Sequence, residues 1–573
     1  MHGVTTSEWR KAKTGGVRLC RTLILTFLTV CLVALLAGGC GQRQTLVALG
    51  NHTQELRINN EGEPSSLDPA VGIGTIEHNV LLALFEGLVT ADPKDLSPRP
   101  GAAESWETAP DGKIYTFHLR KNGRWSNGQP LTARDFVESY QRMLTPSLGA
   151  QYAYMLYPVT NAKAFNLGTI TDFSQVGFKA LDDYTLQLTL HSPAPYLLSM
   201  IIHDSWYPVP IAVIKKHGAL DDRTNPWTRP ENFVGNGPFV LKEWRMNSHI
   251  LVEKNPTYWG ATNVRLNKIY FDPTESTDTA ERMFRSGQLH SDPQAPPSKV
   301  AFYRKYKPNL INVYPLLGTY FYKINVTRPP LTDKRVRQAL ALAIDRHAIT
   351  ETIMRAGEEP ACFFTPPNTA GYTCRTKITE DIAAAQRLLA EAGYPGGKNF
   401  PTVELLFNTL QSHKAIAEAL QDMWKRNLNI NIVLHNEEWK VYLDSMRRLD
   451  YFMGRAGWNG DYVDPSTFMD MFLTGGGNNE TGWSNAEYDR LVRLASNTGD
   501  RSVRYAAYQK AEAILLDEMP IIPIYFYTRP RLIQPSVQGW YPNVLDQYDF
   551  KSIYLVPSPP NLNPNPNSAL RQQ

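Results

Sequence analysis

An apolar run from Leu23 to Ala37 decides where the rest of this chain must fold. Arg10, Lys11, Lys13, Arg18 and Arg21 precede it, and Ala37, Gly38, Gly39 and Cys40 follow it. A basic start, a short apolar centre and small residues at the end form a secretory leader. The run's fifteen residues fall short of the roughly 20 that a membrane span needs. Residues 1–39 therefore read as a signal peptide, and everything from Cys40 onward is expected to fold in the periplasm or cell envelope. A cysteine directly after small residues matches a bacterial lipobox, with Ala37 where the pattern prefers leucine. Cys40 is the expected lipidation site, and its lipid would hold the protein at a membrane surface. An ordinary signal peptide followed by a chance cysteine is the alternative.

About 530 residues remain, more than one hydrophobic core accommodates, so two or three lobes are expected. The whole chain carries a formal charge of +4. The leader's five cations and one acid, Glu8, account for all of it. A neutral mature chain offers no basic field for nucleic acid or anionic lipid. Once the leader and Cys40 are set aside, Cys362 and Cys374 remain. An exported protein with one such pair is expected to bridge it; two reduced thiols are the alternative. Residues 40–60 read as a lipidated tether leading into a strand. Residues 557–573, rich in Pro and Asn, read as a disordered tail.

Helical and strand patterns alternate between these ends, which indicates a mixed α/β fold. Thr132 with Asp135 resembles a capping box opening a helix to Leu144, with Phe136, Val137, Tyr140, Met143 and Leu144 on one face. Asp333 caps a second helix that turns Val336, Ala339, Leu340, Ala343 and Ile344 inward. A third ends at Gly393, and a fourth runs from about His413 to Arg426. Period-two alternation marks strands at 115–119 and 185–190. The continuous apolar stretch Ile521 to Tyr527 suits a strand covered on both faces.

The chain lacks HExxH, a P-loop and a GxSxG elbow. Its twelve histidines have no metal-ligand spacing. Asp461 and Asp464 sit three apart in a loop, where carboxylates usually form turns. No catalytic residue, metal or cofactor is expected, and binding is favoured over turnover. The positive signal is aromatic: 28 Tyr and 12 Trp, many in polar contexts such as 152–157, 318–325 and 454–462. Rings with polar tips suit a cleft that accepts varied side chains, although large domains also bury such rings in their cores.

Long ordered segments resemble one family. GEPSSLDPA (62–70), LRKNGRWSNGQPLTARDFVESYQRML (119–144), NGPFVLKEWRMNSHILVEKNPTYWG (236–260), DKRVRQALALAIDR (333–346) and AQRLLAEAGYP (385–395) are similar to the solute-binding proteins of peptide ABC importers. Residues 408–468 resemble its oligopeptide-binding branch in particular. The resemblance covers about residues 55–556. It implies a class II periplasmic-binding-protein fold: two lobes joined by crossing strands, plus an inserted domain. Domain I would comprise 61–75, 205–317 and 529–556, domain II 76–204, and domain III 318–528. It also implies an extended peptide held between the lobes by backbone pairing, no enzymatic activity, and a monomer that delivers its ligand to permease subunits. The same fold with a dipeptide, murein tripeptide or other solute is the alternative, as is a sensor-type peptide receptor.

Site residues follow by resemblance alone. Asp461 in RAGWNGD would bind the peptide ammonium, beside Trp458, Asn459 and Gly460. Glu63 falls at a cleft acid, Trp439 at a side-chain pocket and Tyr152 at a cleft tyrosine. Gly318, Thr319, Tyr320, Phe321 and Tyr322 fall on the strand whose backbone pairs with ligand. Arg455 and His413 fall at cations that meet the peptide carboxylate. Departures are Met446 where the branch has arginine, and Gly318 and Asn459 where it has a disulfide. His290 stands where many members carry aspartate.

Overall fold

The computed structural model describes residues 44–72 and 74–557. The signal peptide, Cys40 and all but the first residue of the expected tail lie outside the described residues.

Four strands position the site: β1 (Glu55–Asn59), β2 (Ile311–Ile324), β3 (Met453–Asn459) and β4 (Ile521–Ile533). They belong to one eleven-stranded mixed sheet. From one edge the order is 432–437, 403–408, β3, β2, β4, 291–292, β1, 268–272, 249–254 and 239–245, with 359–360 also pairing β4. β2 and β4 are the long members, and they pair antiparallel from Ile311↔Leu532 to Lys323↔Ile521. The sheet's two halves meet where the far end of β4 pairs 291–292. A second, four-stranded antiparallel sheet orders 103–108, 114–119, 185–189 and 178–182.

Each half of the large sheet builds its own core. One core gathers Leu56, Val80, Leu84, Phe117, Tyr140, Trp206, Phe239 and Ile269. The other gathers Tyr320, Tyr322, Leu340, Trp424, Phe468, Tyr508 and Ile524. A smaller cluster of Phe284, Leu289, Val300, Tyr303, Ile311 and Leu532 lies at the outer ends of β2 and β4.

The local signals explain the elements. Thr132 and Asp135 form the capping box of Ala133–Leu144, with the Asp135 carboxylate 2.7 Å from the Thr132 N–H. Its apolar face closes on the small sheet through Tyr140 and Phe178, ring centres 4.7 Å apart. Asp333 caps Lys334–Leu342. After Ile382–Glu391, Gly393 takes the left-handed conformation (φ 99°) that favours glycine. β4 is buried on both faces from Ile521 to Phe526, as its unbroken apolar run requires.

Two expectations are corrected. Residues 46–60 are not a tether. Thr45 caps a helix, Leu46–Thr53, and β1 then enters the sheet between 268–272 and 291–292. Burial of Leu56 and Ile58 on alternate residues draws this segment into the core. Nor are Cys362 and Cys374 bridged; both are free thiols. The Cys374 Sγ instead contacts the Thr376 carbonyl at 3.4 Å. Burial first, then the Glu512 carboxylate, pushes that thiol's pKa up and keeps it unreactive.

Candidate functional site between the two cores

β3 carries the site. Along one side it pairs β2 from Gly318↔Asn459 to Ile324↔Met453. On its other side, strand 403–408 pairs it only at Met453 and Gly454. The Tyr442 hydroxyl donates to the Arg455 carbonyl. Beyond that point the second edge, from Ala456 to Asn459, has no partner strand among the described residues. An unpaired edge invites another strand. A Cβ at Gly457 would meet the Tyr527 hydroxyl, so any larger residue here would have to displace that ring.

A charge stands at each end of this edge, and neither has an ion-pair partner among the described residues. Arg455 lies half-buried among Tyr320, Tyr442, Tyr525 and Tyr527. It donates to the Tyr527 hydroxyl at 2.9 Å and stacks 4.7 Å from the Tyr320 ring centre. Its buried Nε has no acceptor. Asp461 lies six residues on, at most about 20 Å of extended chain away. It accepts from the Tyr154 hydroxyl at 3.0 Å. Burial pushes its pKa up, against the opposing pull of His203 and the Tyr154 hydrogen bond.

The surroundings of Asp461 come from the other core. The Asp204 carboxylate lies 3.0 Å from His203 Nδ1 and 3.2 Å from His78 Nδ1. Burial would raise its pKa, but the two imidazoles outweigh that and hold Asp204 well below the usual carboxylate range. Tyr152 stacks between Tyr154 (5.7 Å) and His203 (5.0 Å). Tyr196 stacks on Tyr462 at 5.6 Å and lies under Arg504 at 5.0 Å. The Val463 N–H reaches Ser199 Oγ at 3.3 Å. These contacts draw 152–206 against 461–504. A small cavity of about 40 Å³ remains nearby, lined by His78, Asn79, Leu317, Asn459, Gly460 and Arg529 among others.

The structure thus brings together Arg455, Trp458, Asn459, Gly460, Asp461 and Tyr152. Trp439, 49% exposed, stacks on Tyr442 beside Arg455. Three expected roles change. Thr319–Tyr322 are laddered on both sides, by β3 and β4, so their backbone cannot pair with a ligand. Gly318 is taken by Asn459. The open edge belongs to β3. His413 is buried against the Tyr320 hydroxyl at 3.4 Å. Burial, then Arg455, lower its pKa to about 2, so it is a neutral imidazole and not a second cation. Glu63 accepts from Trp244 Nε1 and the Asn247 N–H and is committed to that hairpin.

Of the departures, Met446 packs its sulfur under Gly454, and His290 accepts from the Arg57 N–H at 3.0 Å as a buried sheet contact. Asp464 is ion-paired with Arg504 at 2.7 Å and is no partner for Asp461. Sequence reading missed Tyr154, His203, Asp204 and His78. Only Tyr154 had a signal, two residues along from Tyr152 in YAYMLY.

The model of bacterial extracellular solute-binding proteins, family 5, matches residues 97–480. The chain belongs to this family. Among relatives, it is 37% identical to the periplasmic oligopeptide-binding protein OppA of Escherichia coli over 518 residues, which cover 88% of this chain and 93% of that protein. Haemophilus influenzae OppA, in its complex with RPPGFSPFR, matches at a TM-score of 0.80 and 37% identity, covering 88% of this chain and 99% of that one. The Escherichia coli murein tripeptide-binding protein MppA matches at 0.79 and 35% identity, covering 88% and 98%. Its unliganded open form matches at 0.69 and 36%, covering 88% and 97%. The family's class II fold accounts for the two cores.

Proposed function

We propose that this solute-binding protein captures short peptides in extended form between its two lobes and delivers them to the permease of an ABC importer. One observation carries the reading. β3 offers an unpaired strand edge with an unpaired cation at one end and an unpaired anion at the other. A free peptide is complementary to all three features: backbone amides for the edge, a carboxylate for Arg455 and an ammonium for Asp461. At most about 20 Å between the charges limits the ligand to a few residues. Backbone pairing is indifferent to sequence, and water taken in with the ligand can bridge to each side chain in turn. Ligand contacts to both lobes favour the closed arrangement, residues 76–204 forming the inserted domain. OppA relatives are named for oligopeptide binding and for the periplasm, which supports the same reading. The protein makes and breaks no bond. Acylation at Cys40 holds it, as a monomer, on the cell-envelope membrane.

Native mass spectrometry of protein purified from cells tests this reading. A distribution of adducts with peptide masses of about two to five residues is expected, lost on unfolding and restored by adding tri-alanine, which stays uncleaved. A single adduct of non-peptide mass, or cleavage of tri-alanine, would overturn it.

A further inference from the structure

The helix Pro297–Tyr306 has an outward face that the peptide site does not use. Its inward residues Val300 and Tyr303 fill a small core cluster with Phe284 and Leu289. On the other side Phe302 is 49% and Tyr306 62% exposed, with ring centres 5.4 Å apart. Phe302 packs edge-on against Tyr303 at 5.7 Å and Lys305 lies over the Tyr306 ring at 5.0 Å, yet the two rings together leave an apolar patch in water. Arg304, Lys305 and Lys307 are exposed around them, and Arg355 is exposed beside Ala356, a member of the same cluster. No acid occurs between Asp292 and Asp333 in the chain. From outside that stretch, Lys299 is spoken for by Glu281 at 2.6 Å and by Asp278 at 3.9 Å, and Glu358 lies near Arg304.

This face lies where the chain enters the fold. The Val47 N–H donates to the Gly287 carbonyl at 2.9 Å, and the Gly287 N–H to Phe284 at 3.0 Å. Phe284 shares its cluster with Val300 and Tyr303. Cys40 precedes Thr45 by five residues, a reach of at most about 17 Å. The mature chain is neutral as a whole, but this face is locally basic, and aromatic rings among cations suit the headgroup layer of an anionic bilayer, where rings sit at the interface and basic side chains meet phosphate.

We propose that the Phe302–Tyr306 face, with Arg304, Lys305, Lys307 and Arg355, docks on an anionic membrane surface and sets the orientation of the binding cleft above it. The location rests in part on acylation at Cys40, so the test dispenses with the lipid. The chain from Gly41 onward, which keeps every described residue, is mixed with phosphatidylcholine vesicles with and without 30% phosphatidylglycerol (about a third), and vesicle-bound protein is measured by flotation.

Binding to the anionic vesicles alone is expected, lost in high salt. Phe302→Ser with Tyr306→Ser should reduce it about tenfold, and Lys305→Gln with Lys307→Gln by about fivefold per charge removed. Tri-alanine affinity should be unchanged in each variant, which shows that they fold and separates this inference from the peptide reading. Equal binding by wild type and both variants, no binding at low salt, or binding that ignores vesicle charge would overturn it. So would a concentration-dependent dimer that the aromatic variant abolishes, since the face would then meet a second copy.

Discussion

Replacing Arg455 with methionine should move affinity and stability in opposite directions. The guanidinium is half-buried, bonded to one neutral hydroxyl, with Nε unpaired and no carboxylate in contact. A group so placed costs the empty protein stability: an unsatisfied buried donor is worth about 1–3 kcal/mol against folding. Methionine keeps most of the apolar stem between Tyr320 and Tyr527 and removes the unpaired donors. The unliganded variant should therefore be as stable as the parent, or more stable by about 1 kcal/mol. With a peptide bound, the same guanidinium meets a carboxylate. Charge-assisted hydrogen bonds contribute about 1.5–3 kcal/mol, so the dissociation constant for tri-alanine should rise about 10- to 150-fold. Denaturant unfolding of peptide-free protein gives the first quantity and calorimetric titration the second. C-terminally amidated tri-alanine should bind parent and variant with similar affinity. A variant that loses several kcal/mol of stability while keeping its affinity would refute the reasoning and make Arg455 a structural residue.

Other outcomes follow from the same structure. Tyr196→Leu removes one ring of the stack with Tyr462, and calorimetry should show affinity weakened about 3- to 10-fold for every peptide alike. Burial first, then Asp464, raise the Asp470 pKa to about 7. Between about pH 4 and 7 the folded protein therefore holds a proton that the unfolded chain has released, and stability falls as pH rises through that window. Asp470→Asn should raise the melting temperature at pH 8 and leave it unchanged at pH 4. With Cys362 and Cys374 both free, two thiols should react with a maleimide in denaturant without reductant, and reductant should not shift the melting temperature.

Much of the fold was legible because its signals are local. Thr132 with Asp135, Asp333 and Gly393 mark helix ends by groups that act within a few residues. The run Ile521–Phe526 announces a doubly covered strand. The strand edge was not legible. Whether β3 or β2 offers free backbone depends on where strand 403–408 stops, and pairing that ends at Gly454 leaves no mark in MGRAGWN. His413 reads as a cation at the start of a helix, and only tertiary burial makes it neutral. His78 and Asp204 stand 126 residues apart, and no spacing joins them. Glu63 looks like a cleft acid until Trp244, far along the chain, claims it. The two cysteines fit the arithmetic of an exported pair and are nonetheless free, with Cys374 contacting the Thr376 carbonyl.

The most direct test of the site is calorimetric titration of unfolded and refolded protein, freed of captured peptide, with tri-alanine and its N-acetylated twin. The free peptide should bind at about micromolar or better (roughly −8 kcal/mol) and the acetylated form should lose most of that affinity, because Asp461 is left facing an amide. Equal affinity for the two peptides would contradict it.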